Sequence, residues 1–200
     1  YNSGIMLKIG ITGGIGSGKT TVCGVFELLG IPVFYADLVA KRLMQTDQLL
    51  IEGVKQSFGS ESYFPNGELD RKYLASKVFN NEEALACLNS LVHPAVFRAF
   101  DLWVKSQNSA YVLKEAALLF ESKSYLDCDH TILIKAPEHL RIERVKLRDQ
   151  ISEEEIRKRI RRQLPDEEKE KLAGTCLIND EKQFLIPQIL ELHEKFLANK

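Results

Sequence analysis

Leu7-Lys8-Ile9-Gly10-Ile11-Thr12 runs straight into Gly13-Gly14-Ile15-Gly16-Ser17-Gly18-Lys19-Thr20, and the reading of this stretch decides the fold. The first six residues form a short apolar, β-branched run that reads as a buried strand. The next eight satisfy G-x-x-x-x-G-K-[ST]. Val22, Val25, Phe26 and Leu29 then recur at i, i+3, i+4 and i+7, the apolar stripe of an amphipathic helix. Strand, glycine-rich turn and helix are the context a phosphate-binding loop requires. Glycines let the backbone approach a ligand closely, so that successive N–H groups can point at one polyphosphate. The helix opening near Lys19 adds unpaired N–H groups and the positive end of its dipole. Lys19 would reach the β- and γ-phosphates, and the Thr20 hydroxyl would ligate Mg²⁺. The sequence therefore specifies a nucleotide site.

Composition sets the outer bounds. A chain of 200 residues is long enough for one substantial core. A formal net charge of −1 argues against a general polyanion binder, so no nucleic-acid partner is expected. No run approaches the ~20 apolar residues that span a bilayer. Tyr1-Asn2-Ser3-Gly4-Ile5 lacks a basic region followed by an apolar one and does not read as a signal peptide, and Met6 reads as the natural start. Cys23, Cys87, Cys128 and Cys176 are scattered, with no C-x₂-C pair, as expected of small buried residues in a reducing compartment. These features fit a cytoplasmic enzyme.

After the first helix, Gly30 and Pro32 end it, and Ile31–Tyr35 reads as a second strand. Asp37 follows at once. Ligands of an open parallel sheet gather at the carboxyl ends of strands, so Asp37 could orient an acceptor hydroxyl; equally, it could cap a helix starting at Leu38. From Leu38 to about Asn108 the pattern is mostly helical, with turns at Phe58-Gly59 and Pro65-Asn66-Gly67, a helix near Asp70 and another from Glu82. His93-Pro94 is expected to interrupt or bend that helix, and His93 is either a helix-junction residue or a functional one. An insertion of this length between strands reads as an acceptor-binding lobe.

Ala110–Glu115, His130–Ile134 and Thr175–Ile178 read as the remaining strands, and a last helix runs from Phe184 to about Leu197. Glu115 is the nearest candidate for the acidic residue expected at a strand end beside the loop. Strands alternating with helices define a three-layer α/β fold with a five-stranded parallel sheet. Between the fourth and fifth strands, Arg141, Arg144 and Arg148 share one helix face. Ser152-Glu153-Glu154-Glu155 opens a second helix with a capping box. On it, Glu153–Arg157, Glu154–Lys158 and Glu155–Arg159 are expected i,i+4 pairs. Because arginines stabilise the charge of a transferring phosphoryl group, Arg141 to Gln163 reads as a basic lid.

Together these segments resemble the dephospho-coenzyme A kinase family. The resemblance rests on Thr12–Thr20, Ala36-Asp37, Asp70-Arg71 with Leu74 and Val78-Phe79, Leu88-Asn89 and His93-Pro94. It continues through Leu118-Leu119-Phe120-Glu121, Arg144 with Arg148-Asp149, Gln163, and Ile178-Asn179. Ala117 stands where the family usually has proline, Leu177-Ile178-Asn179 departs from Ile-Asp-Asn, and Thr20 replaces the commoner serine. The resemblance implies a P-loop kinase over 6–200, with a core (6–37, 109–140 and 173–200), a helical acceptor lobe (38–108) and a helical lid (141–172). It implies ATP as phosphoryl donor with Mg²⁺, and the ribose 3′-hydroxyl of dephospho-coenzyme A as acceptor, with no protein partner. Asp37 becomes the acceptor-hydroxyl base, Arg148 the lid arginine supported by Arg144, Asn179 an adenine-side contact, and Arg71 and His93 residues of the acceptor lobe. A nucleoside monophosphate kinase is the alternative. A GTP-binding switch is disfavoured, because Asn179-Asp180-Glu181-Lys182 does not match Asn-Lys-x-Asp.

Overall fold

The central strand, β1 (Leu7–Gly13), is buried along most of its length. It lies in the middle of a five-stranded sheet of order β2-β3-β1-β4-β5, with β2 (Val33–Tyr35), β3 (Tyr111–Glu115), β4 (His130–Lys135) and β5 (Thr175–Ile178). All four pairings are parallel. A computed structural model describes residues 6–79 and 81–198; the expectation for Tyr1–Ile5 lies outside them. Parallel strands buried on both faces need apolar side chains on both sides, which is why β1, β3 and β4 read as nearly continuous apolar runs. Ile9, Ile11, Tyr111, Leu113, Ile132, Ile134 and Leu177 form one core with Val22, Cys23 and Phe26 of α1 (Lys19–Leu28) and Ile189, Leu192 and Phe196 of α9 (Leu185–Ala198). Burying a side chain such as Phe26, which is fully inaccessible, contributes about 1.5–3 kcal/mol.

Two compact units divide the chain: one combines the chain up to Tyr35 with the chain from Gln107 onward, the other runs Ala36–Ser106. In the first, β4 leads to β5 through α6 (Glu138–Asp149), α7 (Glu153–Arg161) and α8 (Asp166–Leu172). Ile142 and Val145 of α6 close a small core with Ile156 of α7, against which Ile15 of the glycine-rich turn packs. The expected capping box is present at α7, between Ser152 and Glu155. That box changes the expected charge ladder. Glu153–Arg157 and Glu154–Lys158 form, but Glu155 is held by Ser152, and Arg159 turns to Asp149 at 3.6 Å.

The second unit is built on α2 (Ala36–Thr46), α3 (Gln48–Phe58), α4 (Arg71–Val78) and α5 (Glu82–Lys105). Asp47, Asp70 and Asn81 cap α3, α4 and α5 by accepting backbone N–H bonds. Leu50, Val54, Tyr63, Leu74 and Ala95 form its core. Two expectations fail here. Helix α2 begins at Ala36, so Asp37 lies inside its first turn, where a carboxylate favours the positive helix end, and is not an N-cap. Helix α5 also runs through Pro94, so the expected interruption there does not occur. The missing N–H of one proline is tolerated where α2, α3 and α4 all pack along the helix. Among the four cysteines only Cys23 is fully buried, and Cys87 is exposed. Among the described residues no helix is long and apolar enough to cross a membrane.

Candidate active site

Parallel strands deliver their carboxyl ends to one edge of the sheet, and the glycine-rich turn leaves β1 at that edge. Two residues of the turn, Gly16 (φ 78°) and Gly18 (φ 99°), adopt the left-handed region that side-chain-bearing residues rarely occupy. The carbonyls of the turn are satisfied in unbroken succession. Lys19 Nζ donates to Gly13 O (2.9 Å) and Gly14 O (3.4 Å), and Ser17 N also donates to Gly14 O. Arg141 Nε donates to Ile15 O (3.0 Å), Arg144 Nη1 to Gly16 O (3.5 Å), Asn179 Nδ2 to Ser17 O (2.8 Å) and Val22 N to Gly18 O (3.1 Å). In a planar trans peptide the N–H points opposite to the C=O. Carbonyls pinned toward α6 and Asn179 therefore turn the amides of Gly16 and Gly18 the other way, beside the first-turn amides of α1. The result is a row of donors suited to an anion.

Side chains of α6 brace this turn from behind. Arg141 is only 5 % exposed and pairs with Asp166 at 2.9 Å, which offsets the cost of burying a guanidinium. Arg144 bonds Asn179 O and Glu181 as well as the turn. Arg148, the third arginine of the series, instead lies exposed on its neighbour Asp149 (2.7 Å), which raises its pKa and lowers that of Asp149. Glu115 ends β3 in register with Ile11 and Tyr35, at the same sheet edge. Its charge adds to the burial that pushes the Cys23 thiol and the Tyr35 phenol upward, whereas Lys19 draws the thiol down.

The structure thus brings together Gly13 to Thr20, Arg144 and Asn179. It places Asp37, Arg71 and His93 in the helical unit: Asp37 is the second residue of α2, Arg71 the first of α4, and His93 lies midway along α5. Asp37 also follows the last residue of β2 by two positions. Sequence reasoning gave no role to Gln163, whose Oε1 accepts from Ile15 N at 2.9 Å, or to Asp166 and Glu121. No spacing rule could have found them, because their partners lie tens of residues away.

Comparison with known proteins decides the family. The model of the dephospho-CoA kinase family matches residues 7–184. The chain belongs to the dephospho-CoA kinase family. A dephospho-CoA kinase of Salinibacter ruber is 43 % identical over 178 residues, covering 88 % of this chain and 89 % of the relative. One from Bacteroides fragilis is 38 % identical, covering 93 % and 91 %. Among solved structures, one from Thermus thermophilus superposes with a TM-score of 0.84 at 34 % identity, covering 98 % of each chain. The dephospho-CoA kinase from Campylobacter jejuni gives 0.70 at 25 % identity, covering 98 % and 99 %. A shikimate kinase from Bacteroides thetaiotaomicron, at 14 % identity and a TM-score of 0.55, shares the fold. Within the dephospho-CoA kinase family, then, the braced turn of this chain is the P-loop of a kinase fold.

Proposed function

We propose that this protein is a dephospho-CoA kinase that moves the γ-phosphoryl of ATP to the ribose 3′-hydroxyl of dephospho-CoA, giving CoA and ADP. The observation that carries the reading is the P-loop with its carbonyls pinned outward, in a chain whose family match spans nearly its full length. The amides of Gly16 and Gly18 and the first turn of α1 receive the phosphates. Lys19 exchanges the carbonyls of Gly13 and Gly14 for the β- and γ-phosphates, where its charge offsets what builds up during transfer. Thr20 stands exposed in the first turn of α1 with a hard oxygen donor, which suits Mg²⁺. When bound, that ion would neutralise phosphate charge.

Asp37 takes the proton of the acceptor hydroxyl as its oxygen bonds to the γ-phosphorus and the bond from that phosphorus to the β,γ-bridging oxygen breaks. Arg148, on a lid of residues 141–172, leaves Asp149 for the transferring group on closure, supported by Arg144. Asn179 lies on the nucleotide side, and Arg71 and His93 belong to the acceptor lobe of residues 38–108. The reaction takes two small molecules and suits a cytoplasmic enzyme. The test is an ADP-release assay with dephospho-CoA, AMP, CMP and adenosine in parallel, with product mass and position of the added phosphoryl determined. Strong, Mg²⁺-dependent turnover of dephospho-CoA alone is expected. Comparable turnover of a nucleoside monophosphate would replace this reading by that of a nucleoside monophosphate kinase.

A further inference from the structure

We propose that Gln163 is a positioning residue for the P-loop, setting the orientation of the Gly14–Ile15 peptide and through it the donors that follow; this rests on the reading of the loop as the ATP site. Ile15 is held at three points by the segment between β4 and β5. Its side chain packs on the α6–α7 core, its carbonyl accepts from Arg141 Nε, and its amide donates to Gln163 Oε1 at 2.9 Å. Gln163 is itself anchored: its Nε2 reaches Ala117 O at 3.5 Å, and the next residue, Leu164, donates its amide to Glu121 Oε1 at 2.9 Å. Glu121 in turn faces Lys169, which is fully buried, at 3.5 Å.

The Ile15 amide faces away from the loop's anion side and takes no part in binding phosphate. Its partner decides the loop's shape nonetheless. A planar trans peptide with its N–H on Gln163 points Gly14 O the opposite way, where Ser17 N and Lys19 Nζ meet it. Without the Gln163 acceptor, a half-buried donor is left unmade and the peptide can rotate against its remaining holds at Gly14 O. Rotation would withdraw Gly14 O from Ser17 and Lys19 and unsettle the turn that aims the amides of Gly16 and Gly18. Pre-organisation of this kind is felt as ligand affinity.

The test compares wild type, Gln163→Met, Gln163→Asn and Glu121→Gln. The methionine keeps volume but has no acceptor of comparable strength; the asparagine stays polar and is one methylene too short. Both are expected to speed hydrogen exchange at the Ile15 amide of the ligand-free protein and to raise the ATP dissociation constant about tenfold. The KM for dephospho-CoA at saturating ATP should stay within about twofold of wild type, because only the donor site is disturbed. Glu121→Gln disturbs the neighbouring anchor without touching the Ile15 bond, and should lower the melting temperature while leaving ATP affinity in place. Faster Ile15 exchange with unchanged ATP affinity in both Gln163 variants would overturn the proposal. So would an equal loss of affinity in Glu121→Gln, which would mark general loosening. Wild type and Lys19→Ala in the same titrations separate the two readings. If wild type binds no ATP, the proposed function fails; if it binds and the Gln163 variants bind equally well, only this inference fails.

Discussion

A single methyl group placed at Gly14 should dislodge a buried arginine. A Cβ built there meets the Arg141 guanidinium, with Nη1 at 2.7 Å and Nη2 and Cζ nearer still. Gly14 does not lie in the left-handed region, so the backbone itself accepts alanine and the cost is steric. Arg141 is the far end of a flexible side chain, but moving it breaks the bond to Ile15 O (3.0 Å) and the pair with Asp166 (2.9 Å). Hydrogen bonds to charged groups are worth about 1.5–3 kcal/mol each. The displaced guanidinium recovers part of this in water, leaving a net loss of about 3 kcal/mol. For a domain of this size that corresponds to a fall in melting temperature of about 6–12 °C. Urea denaturation followed by circular dichroism measures the loss directly. The decisive comparison is a double-mutant cycle. With Arg141→Ala already present, Gly14→Ala should cost less than about 1 kcal/mol, since the clash has no partner. An equally large loss in both backgrounds would refute the argument that Arg141 fills the space behind the P-loop.

Lys19→Ala should abolish turnover while leaving the fold intact, because the charge that offsets what builds up during transfer is lost; near-wild-type turnover would remove the loop from the chemistry. Asp37→Asn should lower kcat by about 10²–10⁴-fold with little change in KM for dephospho-CoA, the range for a lost general base, and a collapse of affinity with normal kcat would make Asp37 a binding group instead. Burial, reinforced by Lys195, holds the His130 pKa below its ordinary 6.5 while Nε2 lies 2.8 Å from Thr175 Oγ1. The unfolded chain therefore takes up the proton first: stability from neutral His130 is complete above about pH 6.5 and is lost as pH falls toward the depressed folded value. Urea midpoints from pH 8 to 5 should fall less steeply in His130→Gln; identical slopes would show that His130 plays no part.

Short-range physics made much of the protein readable from its residues. Leu7–Thr12 read as a buried strand because Leu7, Ile9 and Ile11 make it largely apolar and β-branched, and Gly13–Thr20 could serve as a phosphate loop because glycines admit the backbone it needs. The capping box at Ser152 and Glu155 spans only three residues, so spacing alone revealed it. The errors also have local causes: Pro94 breaks an isolated helix but not one packed on three sides, and Glu155, already committed to its cap, was unavailable to Arg159. What only tertiary structure decided is how the turn is held. Arg141, Arg144 and Gln163 meet it from well over a hundred residues along the chain, as does Asn179, and among three arginines on one helix face only two reach it. Periodicity specifies which residues share a face. Which of them meets a loop carbonyl depends on where the helix docks, and docking is settled by Ile142, Val145 and Ile156 packing around Ile15.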